Sequence, residues 1–411
     1  MYRSHTIARG ALLLGAAGAI VACNSDTHLV IPTVNNNIFR SYVALGNSIT
    51  AGYQSGGIND STQRLSYPVL LANQMGTRFA YPSLAMPGCA PPVNNLLTQT
   101  RVTPKGYPAS TATSCYLRNP SSVTAVINNV AVPGIASADP TAPVGPNANA
   151  LTELFLGGET MVQKALDAQP TFATVWIGNN DILEPALSGL PSTATPVPTF
   201  IANYAKTINA LTTGAPGLKG VLIGVGQVAG TPLLFPAGVI ALSPAARGAA
   251  SLVAGRPVAL DSATCAGANA AALIDFQYLI AIRYRPAGFP GTIFCQPISG
   301  GGQTDLGDFL VLDITEQATV AATINGYNNY IKAKADSIGF AYYDPNVALA
   351  ALRANGAVPA FPNLASAQPF GQYFSLDGVH PSGAAQILLA NGLIDVINMK
   401  YGTTLRKLPI S

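Results

Sequence analysis

The chain has only three histidines in 411 residues, His5, His28 and His380. The first two lie in the N-terminal leader and just after it, so His380 is the one imidazole available to the folded body. It stands in Ser375-Leu376-Asp377-Gly378-Val379-His380-Pro381-Ser382. A carboxylate three positions earlier, Asp377, can hold the ring in one orientation and stabilise its protonated form. An imidazole held in this way is a base for a weak nucleophile such as a serine hydroxyl. The candidate hydroxyl is Ser48, in Tyr42–Gly52, YVALGNSITAG. The order Ser, Asp, His along the chain also occurs in serine hydrolases of α/β type. A third stretch, Ala173–Asp181, reads ATVWIGNND. There the Asn180 amide can donate a hydrogen bond to a developing oxyanion. Taken singly, these residues fit a turn serine, a surface histidine and an ordinary helix cap or Asx turn. Taken together they describe acyl transfer through a serine.

Each motif needs a strand that ends where its chemistry begins. Tyr42–Leu45 is a short apolar run suited to a buried strand, and Gly46-Asn47-Ser48 breaks it with small residues. Open α/β sheets bind ligands at the carboxyl ends of their strands. The run Phe172–Ile177 is continuously apolar, as in a parallel strand buried on both faces.

In this setting the chain resembles the GDSL/SGNH hydrolase family. GNSITAG is similar to that family's first block, whose serine is the nucleophile. GNND resembles the third block and DGVHP the fifth. Asn129–Ser137, NVAVPGIAS, fits the second block, which supplies a glycine after a strand, here Gly134. The blocks run in family order from Tyr42 to Pro381. The resemblance implies Ser48 as nucleophile, His380 as base and Asp377 as its orienting acid. It implies an oxyanion hole from the backbone N–H groups of Ser48 and Gly134 and the side chain of Asn180. It implies no cofactor and no metal, and a three-layer α/β/α sandwich on a flavodoxin-like five-stranded parallel sheet. The chain departs from the family at Asn47, where the family has aspartate. Asparagine also tolerates the turn, but any role for a negative charge there is lost.

The remaining elements follow from spacing and punctuation. Ser66–Gly76 reads as a helix with Pro68 in its first turn and Gly76 just past its end. Asn129–Val132 reads as the second strand. Thr152–Ala168 has helical spacing, with Leu154, Phe155, Met161, Val162, Ala165 and Leu166 inward. A helix over Phe200–Leu211 ends at Gly214 and Pro216. Gly220–Val225 reads as the fourth strand and Ile274–Tyr284 as a helix. Thr315–Ile338 reads as a long helix after Asp313, and Gly339–Asp344 as the fifth strand. A final helix is expected through Met399, with Pro381 in its first turn and Ile387, Leu388, Ile394 and Ile397 inward. Alternating strands and helices argue for α/β layers. The expected organisation is a signal peptide over 1–22, a lipidated cysteine and tether over 23–38, and a hydrolase domain over 39–402. A C-terminal tail over 403–411 follows. Stretches 79–128 and 227–310 read as insertions, the first near the mouth of the site and the second capping the pocket.

Arg3 and Arg9 precede the apolar run Ala11–Ala22, the pattern of an export signal. Ile20-Val21-Ala22-Cys23 resembles a bacterial lipobox, which implies cleavage before Cys23 and acylation of its thiol. The expected location is the bacterial cell envelope, with a lipid anchor on a membrane surface; the alternative is a secreted protein. Cys89, Cys115, Cys265 and Cys295 remain, enough for two disulfides in an exported chain. Proximity favours Cys89–Cys115 and Cys265–Cys295 among three possible pairings. Each would close a loop of about 30 residues, contributing roughly 3 kcal/mol in the chain-entropy picture. The lack of CxxC spacing and of spare histidine disfavours a metal site.

Charged residues make up 9% of the chain and net charge is +3. No basic block exists to mark a nucleic-acid partner. The expected partner is a small-molecule, lipid or acylated-carbohydrate ester. Carbohydrate O-acetyl esterase, thioesterase and lysophospholipase use the same site, and a non-catalytic surface binding module is the alternative of another class. No feature sets an oligomeric state. The anchor is checked by fractionation: Cys23→Ser should leave the membrane fraction, and its persistence there would count against acylation.

Overall fold

The computed structural model describes residues 36–115, 118–119, 126–296 and 309–410. The expected signal peptide, Cys23 and most of the tether lie outside these residues. Nine strands are assigned among the described residues: β1 Tyr42–Gly46, β2 Phe172–Trp176, β3 Lys219–Ile223, β4 Leu234–Pro236, β5 Ala259–Leu260, β6 Leu273–Asp275, β7 Thr292–Ile293, β8 Val311–Leu312 and β9 Ala341–Tyr343.

The central sheet is parallel, with neighbours in the order β1, β2, β3, β9. The second strand, expected over Asn129–Val132, is present as an extended segment on the outer edge of β1. Ala44 N–H donates to Asn128 O at 2.8 Å, Val130 N–H to Ala44 O at 3.0 Å and Val132 N–H to Gly46 O at 3.2 Å. Only one bridge of this ladder, Ala44 to Asn129, is regular. Counting this segment, the chain visits the sheet in the flavodoxin-like order.

Side-chain alternation along the strands makes the layers. Val43, Leu45, Ala173, Val175 and Leu222 face helices Met161–Asp167, Val197–Gly214 and Ile314–Ile338. Tyr42, Ala44, Phe172, Trp176, Val221 and Ile223 face helices Tyr67–Met75 and Gly383–Tyr401. Apolar sheet faces covered on both sides suit parallel strands.

Helix ends follow local chemistry. Asp313 and Glu316 form a capping box at the start of Ile314–Ile338, and Gly339 ends it in the left-handed region. Helix Val197–Gly214 begins three residues before the expected Phe200, because Pro198 fits the first turn. The single helix expected over Thr152–Ala168 is two, Ala150–Leu156 and Met161–Asp167. Gly157 closes the first, and Thr160 with Gln163 forms a capping box that opens the second. The last helix starts at Gly383, not at Pro381, because the Ser382 hydroxyl caps it. Its buried row is Gln386, Leu389, Ala390, Leu393, Ile394 and Ile397. The expected Ile387 and Leu388 are only half-buried. Helix Pro345–Ala354 has no counterpart in the sequence reading.

The stretch after β3 carries its own antiparallel sheet, β4–β6–β8, and its own core around Leu233, Phe235, Ile240, Ile274 and Phe276. Cys265 is bonded to Cys295 within it, and Cys89 to Cys115 within the earlier excursion.

Gln386 locks three helices together. Its Oε1 accepts from Tyr67 N–H at 2.8 Å and its Nε2 donates to Ile49 O at 3.1 Å, fully buried. Gln386→Leu keeps the volume and strands both partners. Urea denaturation should show a loss of about 1–3 kcal/mol; an unchanged midpoint would refute this role.

Candidate active site

β1 ends at Gly46, and the chain turns at once into the short helix Ser48–Ala51. The turn needs glycine: a Cβ at Gly46 would sit 2.1 Å from Thr50 Oγ1. Asn47 caps the helix, its Oδ1 accepting from Ile49 N–H at 3.3 Å. Asparagine and aspartate share that oxygen, so the substitution keeps the cap. The Asn47 amide nitrogen is buried and finds no partner.

Ser48 Oγ lies 2.9 Å from His380 Nε2, across 332 positions of sequence. His380 Nδ1 lies 2.9 Å from Asp377 Oδ2. The other oxygen, Oδ1, accepts from His380 N–H at 2.8 Å, Val379 N–H at 3.0 Å and Ser375 Oγ at 3.0 Å. Oδ2 also accepts from Gly56 N–H at 2.9 Å. Desolvation pushes the Asp377 pKa upward, but the His380 charge and these hydrogen bonds outweigh it and hold the carboxyl well below the ordinary carboxylate range. The Tyr53 ring packs on His380 with centroids 4.9 Å apart.

β2 runs out at Trp176, and Asn180 follows in a short 3-10 turn. The Asn180 Nδ2 donates to Ile135 O at 2.8 Å, which ties it to the turn after Gly134. Asp181 holds the same turn from its other end, accepting from Ser137 N–H at 2.8 Å and Ser137 Oγ at 2.6 Å. Burial pushes the Asp181 carboxyl up, against those two hydrogen bonds.

Ser48, Asn180 and His380 line one cavity of about 130 Å³. Asp377, bonded to the far side of the imidazole, does not line the cavity, and neither does Gly134. Leu183, Val228, Leu349, Leu352, Phe374 and Leu388 make most of the apolar wall. Its lining includes no Asp, Glu, Lys or Arg. Among the described residues no group of His, Cys, Asp and Glu converges as a metal-ligand set.

Much of this wall escaped the sequence reading. Ala348, Leu349 and Leu352 come from helix Pro345–Ala354, whose signal was the pair Asp344-Pro345: Asp344 Oδ1 accepts from Asn346 N–H at 2.9 Å. The stretch 227–310 was expected to cap the pocket, yet among its described residues only Gln227, Val228 and Thr231, at its start, line it. The rest buries its apolar residues in its own core. The excursion 79–128 was expected near the mouth, and among its described residues none lines the cavity.

A sequence model of the GDSL-like lipase/acylhydrolase family matches residues 42–393. A search of curated protein sequences finds no match. Among solved structures, the chain is similar to an extracellular lipase from Streptomyces rimosus at 14% identity, TM-score 0.38, covering 87% of this chain and 98% of that one. It is similar to a mutant of an acetyl-xylooligosaccharide esterase from Geobacillus at 12% identity, TM-score 0.37, covering 87% of this chain and 93% of that one. From the match across residues 42–393, the chain belongs to the GDSL-like lipase/acylhydrolase family and is an ester-cleaving hydrolase.

Proposed function

We propose that the protein cleaves uncharged carboxylic esters with an apolar acyl or alkyl part, through an acyl-enzyme on Ser48. The observation that carries this reading is the continuous contact of Ser48 Oγ with His380 Nε2, and of His380 Nδ1 with Asp377, at the end of an apolar cavity.

His380 takes the Ser48 proton as Oγ attacks the carbonyl carbon. Asp377, ionised and hydrogen-bonded, keeps the imidazole in the tautomer that accepts at Nε2 and stabilises the imidazolium. The carbonyl oxygen becomes an oxyanion, for which the Ser48 N–H, the Gly134 N–H and the second N–H of Asn180 are the donors in this reading. The C–O bond to the alcohol then breaks, with the proton passing from His380 to the leaving oxygen. Water, activated by the same imidazole, attacks the acyl-enzyme and releases the acid and free Ser48.

A charge-free, largely apolar wall favours a neutral hydrocarbon over a phosphorylated carrier or a polyhydroxylated sugar, whose polar groups would lose water without finding partners there. In the same proposal the acylated Cys23 holds the enzyme at a membrane of the bacterial envelope.

A fluorophosphonate probe should label wild type on the peptide holding Ser48, and Ser48→Ala should abolish both label and ester turnover. An adduct elsewhere would sink the assignment. The Asp377 carboxyl is held well below the ordinary carboxylate range, so its protonation should add no proton to the acid limb of turnover. A limb steeper than one proton would contradict this. Across nitrophenyl esters, kcat/KM should rise about fourfold per added methylene until the cavity is full. A preference for acetate would point to deacetylation.

A further inference from the structure

The excursion 79–128 does not touch the cavity, yet it reaches the site from behind. Arg101 lies within it. One guanidinium nitrogen, Nη1, donates to Gly56 O at 2.9 Å and to Pro91 O at 2.7 Å. Gly56 sits in a tight turn closed by Gln54 N–H to Gly57 O at 2.8 Å and Gly57 N–H to Gln54 O at 3.1 Å. Ser55 and Gly56 both have left-handed backbones, with φ of 55° and 64°. Gly56 takes that shape freely, but Ser55 does so at a cost. Surrounding contacts must therefore hold the turn. The excursion supplies them: Arg101, Val93 N–H to Ser55 O at 2.7 Å, and Ile58 N–H to Ala90 O at 3.0 Å.

The other side of this turn faces the catalytic loop. Ser55 N–H donates to Ser375 Oγ at 2.8 Å, and Leu376 N–H donates to Ser55 Oγ at 3.0 Å. Gly56 N–H donates to Asp377 Oδ2, the same oxygen that meets His380 Nδ1. Where the turn stands thus decides where that oxygen stands. Its other partners, Ser375, Val379 and His380 N–H, all bond the opposite oxygen and belong to the loop itself. The groups that face the imidazole are Asp377, Ser48 and the Tyr53 ring.

We propose that Arg101 is a positioning residue for the Asp377–His380 pair, acting through the turn Gln54–Gly57. This rests on the roles proposed above for Ser48, His380 and Asp377. A single nitrogen bridges both carbonyls, so a lysine ammonium, with three donors on one nitrogen, can replace it.

The test compares Arg101→Ala and Arg101→Lys in the whole protein. In Arg101→Ala, kcat on a nitrophenyl ester should fall ten- to a hundredfold, the cost of a displaced catalytic group, while KM moves less than threefold. The downfield Nδ1–H proton resonance of His380 should broaden or move toward that of free imidazole. Arg101→Lys should recover both. A folded Arg101→Ala with wild-type kcat and an unmoved resonance overturns the proposal. So does a loss of kcat with an unmoved resonance, which would mark a structural role. If Arg101→Ala fails to fold by circular dichroism, Ser55→Ala, which removes the partner of Leu376 N–H, should shift the resonance the same way by less. No shift overturns the proposal. The resonance can be read without substrate, so a wild type that turns over no ester would refute the function and leave this test standing.

Discussion

The site depends on a hydrogen-bonded contact between residues 332 positions apart, Ser48 Oγ and His380 Nε2 at 2.9 Å. Neither side chain can find the other unless a strand end and a distant loop are both held rigidly. The sheet supplies the first constraint. β1 is fixed by β2 on one side and by the Asn128–Val132 segment on the other, so Ser48 leaves from a defined point. The loop Ser375–His380 supplies the second by folding around its own carboxylate. From the helix that follows this loop, Gln386 bonds both Ile49, next to Ser48, and Tyr67 of helix Tyr67–Met75. A buried side chain with both ends satisfied holds elements in register better than apolar contact, which is non-directional.

The parts of this arrangement that were legible in the sequence are those with strong local physics. Apolar runs that end in small residues marked β1 and β2. A capped start at Asp313 and a glycine stop at Gly339 marked the longest helix. The pair Asp377 and His380 was legible because imidazole is so scarce. What escaped was set by context. The strand expected over Asn129–Val132 is there, but context makes it irregular, with three backbone hydrogen bonds to β1 and one regular bridge. The two helices between 150 and 167 share one apolar period, and the left-handed Gly157 and the cap at Thr160 separate them. The spacing of Ala348, Leu349 and Leu352 gives helix Pro345–Ala354 an apolar face, but that face lines the cavity and not the core, where only Pro345 is buried.

The two excursions behave unlike each other. The stretch after β3 builds a core of its own and touches the cavity only where it leaves the sheet. The stretch 79–128 packs little of itself but fastens the turn Gln54–Gly57. Function on a common scaffold is carried by such grafted loops. Here part of the cavity wall comes from the scaffold's own helices, Pro345–Ala354 and Gly383–Tyr401, while one loop is hydrogen-bonded to the turn that meets Asp377.

Both disulfides are local, joining cysteines 26 and 30 positions apart, each within a single excursion. Neither bond spans two layers of the sandwich. Each restricts the unfolded chain over its own loop, so neither ties one strand of the parallel sheet to another. Losing both bonds would thus free the ends of the two excursions while the hydrogen-bonded pairing of β1, β2, β3 and β9 has no covalent part to lose.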